Sequence, residues 1–215
     1  MWHKPLNPAQ LRERLTTGCT ALGLELPPTS IDRLLDYIAL LAKWNQAYNL
    51  TAVREPGEMV TRHLLDSLAV APHLTGQRII DVGTGAGLPG IPLAILFPGR
   101  QFVLLDSNGK KTRFLVQAKA SLGLDNVTVV HSRVEEYRPE EPFDTVIARA
   151  FAALTDILSL CRHLIARGGA VLAMKGDAFE AELVPEGFRL AGVVALNVPG
   201  LAHEKRHLIR VVHAE

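Results

Sequence analysis

Five short stretches carry the residues able to do chemistry, and each falls at the end of an apolar run. The first is DVGTGAGLPG, residues 81–90, lying between Ile79-Ile80 and IPLAIL. Asp106 closes QFVLLD, SRVEE at 132–136 follows VTVVH, Arg149 follows DTVIA, and Lys175 follows GAVLAM. Glycines at 83, 85 and 87 let a strand turn sharply into a helix and bring bare backbone against a ligand. The question is which ligand.

Gly85 to Gly90 reads G-x-G-x-x-G, the dinucleotide fingerprint. Asp81 to Gly87 reads D-x-G-x-G-x-G, a pattern of S-adenosylmethionine (SAM) loops. No G-x-x-x-x-G-K-[ST] occurs, so a P-loop is excluded. A dinucleotide would set its pyrophosphate on the helix N-terminus. SAM has no phosphate; its carboxylate can use the amides near Leu88, and its ammonium group needs loop carbonyls. Asp106 can accept from ribose hydroxyls in either case. Three features favour SAM. The charge of Asp81 suits a cation and repels a pyrophosphate. Too little chain follows the sheet for a separate substrate domain. The closing hairpin at about 188–213 is similar to the reversed edge strand of class I SAM methyltransferases. Ligands of open sheets sit at the carboxyl ends of strands, so Val134 is placed to pack on an adenine and Glu135 to accept from its amine. An exposed acidic turn is the plainer account of that stretch.

The residues just past the fourth strand bear on the acceptor. Ala148-Arg149-Ala150-Phe151 lacks the Asn/Asp-Pro-Pro-aromatic of exocyclic-amine methyltransferases. A cytosine-C5 enzyme needs a thiolate, and Cys161 lies too far into the next helix. A ribose 2′-O enzyme needs an Asp where Arg149 stands. With no group evident to remove a proton, guanine N7 fits, because it offers an in-plane lone pair and no proton. Arg149 and Lys175 then serve as positioning cations, with no general base and no metal expected. Duplex RNA hides the N7 edge in its deep groove, so a loop or flipped base is the expected target.

The elements that must position these residues change period near residue 76. Before it the chain reads as helices, the first capped by Asn7-Pro8-Ala9-Gln10. The second carries Ile31, Leu34, Leu35, Ile38 and Leu41 on one stripe. A third is expected continuously over 56–72. After it, strands at 78–82, 101–106, 127–131, 143–148, 169–174, 188–198 and 207–213 alternate with helices at about 90–97, 110–122, 153–166 and 177–183. That alternation predicts an α/β fold with a mostly parallel sheet. Residues 1–75 are expected to form a helical extension packed on a SAM-binding domain of residues 76–215. The 215 residues are 48% hydrophobic and carry a net charge of +1, which argues against a globally basic nucleic-acid binder. Cys19 and Cys161 read as core residues. MWHKPLNPAQ lacks a signal-like apolar run and no membrane-length apolar segment occurs, so the expected location is the cytoplasm.

The chain resembles the RsmG (formerly GidB) family of bacterial guanine-N7 methyltransferases of 16S ribosomal RNA. The resemblance rests on WNQAYNLTAVREPGEMVTRHLLDSL at 44–68, IIDVGTGAGLPGIPLAILFPG at 79–99, LLDSNGKKTRFL at 104–115, SRVEEY at 132–137, VIARAFAAL at 146–154, MKG at 174–176 and EKRHL at 204–208. It implies a helical extension on a Rossmann-like class I domain, with SAM converted to S-adenosylhomocysteine. It implies SAM contacts at Gly83, Leu88, Val134, Glu135 and Arg149, beside the loop residues Asp81, Gly85, Gly87 and Asp106. It implies 16S rRNA as the partner, within the 30S subunit or a late assembly particle, and the base position, 527, comes from the resemblance alone. No stable protein partner is evident. Arg62, His63, Lys110, Lys111 and Arg206 are the candidate RNA contacts. His63 also suits a buried, hydrogen-bonded histidine, Asp66 suits a partner for Arg62, and Asn49 suits a turn. A small-molecule SAM methyltransferase with a helical lid is the alternative reading.

Overall fold

The computed structural model describes residues 7–149, 153–176 and 184–214. The helix expected at 177–183 lies outside them, as do Ala150 and Phe151. A seven-stranded sheet forms the centre, in the order β3-β2-β1-β4-β5-β7-β6. Its strands are β1 (Arg78–Val82), β2 (Gln101–Asp106), β3 (Val127–His131), β4 (Phe143–Arg149), β5 (Ile165–Lys175), β6 (Phe188–Ala195) and β7 (His207–His213). The first five run parallel, and β7 is antiparallel to both neighbours. The strand order reverses between β1 and β4, which opens a crevice at their carboxyl ends.

Side chains alternate between the two faces of each strand. Ile79 and Leu104 join a core with Leu34, Tyr37 and Leu41 of the N-terminal helices, and with Phe114. Ile80 and Leu105 join the opposite core with Ile157, Leu158 and Cys161. The extension therefore covers one face of the sheet together with the helices that follow β1 and β2, against which it packs. It contains α1 (Pro8–Ala21) and α2 (Pro28–Tyr48), and the Asn7–Gln10 capping box is formed. Beyond the first glycine loop come α5 (Gly90–Leu96), α6 (Gly109–Leu122) and α7 (Leu154–Cys161).

Two elements differ from expectation. The continuous helix over 56–72 is broken into α3 (Pro56–Met59), a π-helical turn Val60–Leu65 and α4 (Asp66–Leu68), followed by a 3₁₀ turn Ala71–His73. A π turn is wider than an α turn, and apolar periodicity over so short a run does not register one extra residue. The expected helix 153–166 stops at Cys161, and Ile165 already belongs to β5. The register against β4 jumps from Phe143↔Ile165 to Thr145↔Ala170. Gly168, at φ +69, accommodates that bulge.

Candidate active site

The glycine loop is held by its own backbone and by three side chains. Gly83, Gly85 and Gly87 all take positive φ, a conformation that disfavours any other residue. Asp81 is completely buried, and its Oδ2 accepts from the Thr84 hydroxyl at 2.6 Å and the Gly90 amide at 2.8 Å. Burial pushes its carboxyl up to about 6. Asp106 accepts the Gly85 amide at 2.9 Å on Oδ2 and the Asn108 amide at 2.8 Å on Oδ1. From the extension, the buried Tyr37 hydroxyl donates to the Ala86 carbonyl at 2.7 Å. Tyr37→Phe should cost about 1–3 kcal/mol in urea melts, because it orphans a buried carbonyl. The same variant should bind SAM more weakly by calorimetry.

Two adjoining cavities open over the strand tips. The first, about 370 Å³, is lined by Asp106, Ser132, Val134, Glu135 and Leu160. The second, about 470 Å³, lies between the glycine loop, the ends of β4 and β5, and the π turn. Gly83 and Lys111 line both. Among the described residues, five Lys and Arg side chains face the larger one, Arg62, Lys111, Arg149, Lys175 and Arg206, beside His63 and His207. Asp66 is the carboxylate among its lining residues. The chain as a whole is nearly neutral, so this concentration of positive charge is local.

An ionic ladder crosses the mouth of this cavity. Asp66 is 6% exposed and lies 3.3 Å from both Arg149 Nη1 and Arg206 Nε, through its two oxygens. Arg206 continues to Glu204 at 2.7 Å. Glu204 meets Arg62 at 2.6 and 3.2 Å, and Arg62 reaches Glu58 at 3.1 Å. The π turn thus ties the extension to β4 and to the connection before β7. The same turn carries His63, whose Nε2 lies 2.9 Å from the Thr51 hydroxyl. The WNQAYNLT segment builds that contact. Asn49 caps α2 in the left-handed conformation, and Asn45 holds the Thr51 amide at 2.9 Å.

The family model for GidB, rRNA small subunit methyltransferase G, matches residues 30–209. A relative named Ribosomal RNA small subunit methyltransferase G, from Shewanella amazonensis, is 53% identical over 206 residues, 95% of this chain and 100% of its own. Its namesake from Pseudomonas syringae pv. syringae is 55% identical over 202 residues, 93% of this chain and 94% of its own. The chain belongs to the rRNA small subunit methyltransferase G family. In fold it is similar to a SAM dependent methyltransferase from Aquifex aeolicus, with a TM-score of 0.57 at 16% identity over 80% of this chain and 98% of that one. It is also similar to a mutant of MtNAS in complex with S-adenosylmethionine, with a TM-score of 0.55 at 17% identity over 96% and 89%. These likenesses give the mostly parallel α/β sheet expected from the alternation of strands and helices and the Rossmann-like class I fold implied by the resemblance.

In this member of the rRNA small subunit methyltransferase G family, the expected site residues separate into groups. Gly83, Gly85, Leu88, Arg149 and Lys175 line the larger cavity, and Asp106, Val134 and Glu135 the smaller. Asp81 and Gly87 face neither. Asp81 organises the loop from beneath, and a Cβ on Gly87 would collide with Ile91 rather than fill the cleft. The amides of Gly87 and Leu88 both donate to the Thr84 carbonyl at 3.0 Å. Gly90 is spent on Asp81, so those amides do not await a carboxylate as expected. Lys110 is exposed and lines neither cavity, whereas Lys111 lies 3.7 Å from Asp106 where the cavities adjoin.

Two of the RNA candidates are engaged within the protein. Arg62 donates to two carboxylates, Glu58 and Glu204, and its hydrogen bonds to Glu204 raise its pKa further. Asp66 pairs with Arg149 and Arg206 and not, as expected, with Arg62. His63 is buried, and desolvation, with the nearby Arg149 charge, pushes it down to about 4. It is a neutral wall of the cavity near pH 7. Sequence reasoning missed Tyr37 and Glu204. Tyr37 stood on the apolar stripe of α2, where a buried hydroxyl signals a partner. Cys161 is completely buried and its thiol is pushed up to about 12, which fits its core role.

His63 makes stability depend on pH. Between the ordinary histidine value of 6.5 and about 4, the unfolded chain takes up a proton that the folded one refuses. Acid in that window therefore destabilises the protein through His63. Asp81 acts in the opposite sense between its ordinary 3.8 and about 6, because there the folded state holds the extra proton. His63→Gln is expected to remove the first effect and leave the second. Its stability relative to wild type should rise by about 1–3 kcal/mol from pH 7 to pH 4, read by urea melts. A constant difference would assign His63 no such role.

Proposed function

We propose that this chain transfers a methyl group from SAM to N7 of a guanine in 16S ribosomal RNA, at position 527 by family resemblance. The cradle fits the donor. Asp106 spends one lone pair of each oxygen on a backbone amide and keeps others for ribose hydroxyls. Val134 is buried against the adenine position, and Glu135 lines the same cavity. With the amides of Gly85, Gly87, Leu88 and Gly90 engaged, Lys111 is the side chain placed to hold a carboxylate where the cavities adjoin. SAM bound there supplies a methyl group activated by its sulfonium charge.

The observation that carries the acceptor is the lining of the larger cavity, which among the described residues is dominated by cations, while its carboxylate Asp66 and its histidines His63 and His207 each already have a polar partner. Asp66 is engaged by two guanidiniums, and the neutral His63 contacts Thr51 through Nε2. Such a pocket suits an atom that attacks through a lone pair without losing a proton, and guanine N7 is such an atom. Arg149 and Lys175 hold the base through O6 or a flanking phosphate, the edge basic side chains commonly read, and leave N7 free. As the base becomes cationic, Asp66 offsets the charge of Arg149 beside it. Alignment supplies about 7–11 kcal/mol at most, with fixed dipoles adding to it.

A net charge of +1 supports few phosphate contacts, so recognition on this reading draws on the shape of the 30S subunit or a late assembly particle. The place of action is the cytoplasm; among the described residues no helix is long and apolar enough to cross a membrane. The test incubates the protein with labelled SAM and either 30S subunits or bare 16S rRNA. The mark is then located by borohydride–aniline cleavage, which is selective for N7-methylguanine. Label at another atom, or turnover of a metabolite without RNA labelling, would replace the proposal.

A further inference from the structure

We infer that Arg62 and Arg206 form a composite site for one RNA backbone phosphate, and that Glu204 fills this site in the free protein as a displaceable internal anion. The inference rests on the RNA-methylating reading and deepens it. Three donors from two guanidiniums converge on the Glu204 carboxylate. Arg62 offers Nη1 at 3.2 Å and Nη2 at 2.6 Å, and Arg206 offers Nη2 at 2.7 Å. A guanidinium fork gripping two oxygens, with a second cation on one of them, is an arrangement that a phosphodiester takes equally well. Carboxylate and phosphodiester each bring one negative charge, so exchange preserves the balance of the ladder.

The surroundings favour exchange over a permanent lock. The side chains of Arg62, Glu204 and Arg206 are 37%, 33% and 25% exposed. Ion pairs this open to water contribute little net stability, so losing one costs the fold little. Glu204 stands on the connection between β6 and β7, outside the sheet. Both arginines line the larger cavity beside Arg149 and Lys175. A phosphate at this point would flank a base inserted into that cavity. Arg206 also contacts Asp66, which holds Arg149. Occupation of the phosphate site is therefore linked through one carboxylate to the cation placed at the base. The Arg62 partner, Glu58, stays in place as a fixed counter-charge on the neighbouring turn.

The test measures binding of transcribed 16S rRNA across a salt series, with SAM binding followed by calorimetry. Glu204→Gln is expected to bind the RNA about 3- to 10-fold more tightly than wild type at low salt, with SAM affinity unchanged. Adding Arg62→Gln to that variant should abolish the gain and reduce the magnitude of the log–log salt slope by about 0.7 to 0.9. Equal or weaker RNA binding by Glu204→Gln, with SAM binding intact, would overturn the inference. If that variant fails to fold, arginine Nε–H resonances of the wild type report instead. Those of Arg62 and Arg206 should shift on titration with a short 16S rRNA fragment, and resonances that stay fixed would also overturn it. Failure of wild-type protein to bind or methylate RNA at all would strike the broader reading, and the wild-type controls show that outcome separately.

Discussion

Arg149→Ala is expected to slow single-turnover methylation by about 1–3 kcal/mol of barrier, the worth of a charged hydrogen bond lost in a closed site. That corresponds to roughly 5- to 150-fold in rate. Arg149 ends β4 at the point where the strand order reverses, and its side chain is 24% exposed. Asp66 and the Arg62 carbonyl, at 3.3 and 3.5 Å from Nη1, hold the guanidinium in place before any base arrives. Truncation removes the donor set and also leaves Asp66, 6% exposed, with Arg206 as its remaining ion-pair contact. Arg149→Lys should recover little, because an ammonium cannot span both a carboxylate and a base edge with a planar fork. Rapid-quench measurements with saturating SAM separate this loss from weaker cofactor binding. Unchanged single-turnover rates would remove Arg149 from the mechanism.

Asp106→Asn is expected to weaken SAM binding by at least about 2 kcal/mol, roughly 30-fold in Kd. The carboxylate accepts two backbone amides, from Gly85 and Asn108, one on each oxygen. An amide side chain has a single acceptor oxygen. One of those N–H groups would then face an NH₂ donor, and the glycine loop would lose a tether at the point where it meets the ligand. The ribose would lose a charged acceptor in the same change. Lys111, 3.7 Å away, would lose its counter-charge. Calorimetry with SAM at pH 7 measures the effect, and an unaltered Kd would assign the sugar to another residue.

Much of the architecture was legible because it is encoded locally. Apolar runs with intervening helical stripes announced seven strands, and glycines at 83, 85 and 87 announced a tight loop between a strand and a helix. The expected helix over 56–72 failed because a π turn needs one extra residue per turn, which five or six residues of pattern do not reveal. The early start of β5 was hidden behind a bulge at Gly168 that apolar periodicity reads as helix end.

The candidate site divides along the same line. That Asp81, Asp106, Val134, Glu135, Arg149 and Lys175 belong near strand ends followed from position in the chain, since a βαβ repeat brings strand tips to one edge. Which of them face the cleft did not follow. Asp81 turned beneath the loop because the Thr84 hydroxyl and the Gly90 amide satisfy it there. Arg62 and Glu204 are 142 residues apart in sequence, and His63 acquires its low pKa only from the burial around it. The residues alone determined the fold class, the place of the glycine loop and the kind of ligand it suits, because backbone preference and periodicity act over a few neighbours. Pairing of charges and the orientation of each carboxylate were decided by tertiary structure, because Coulomb interactions and desolvation depend on distances that exist only once the chain has folded.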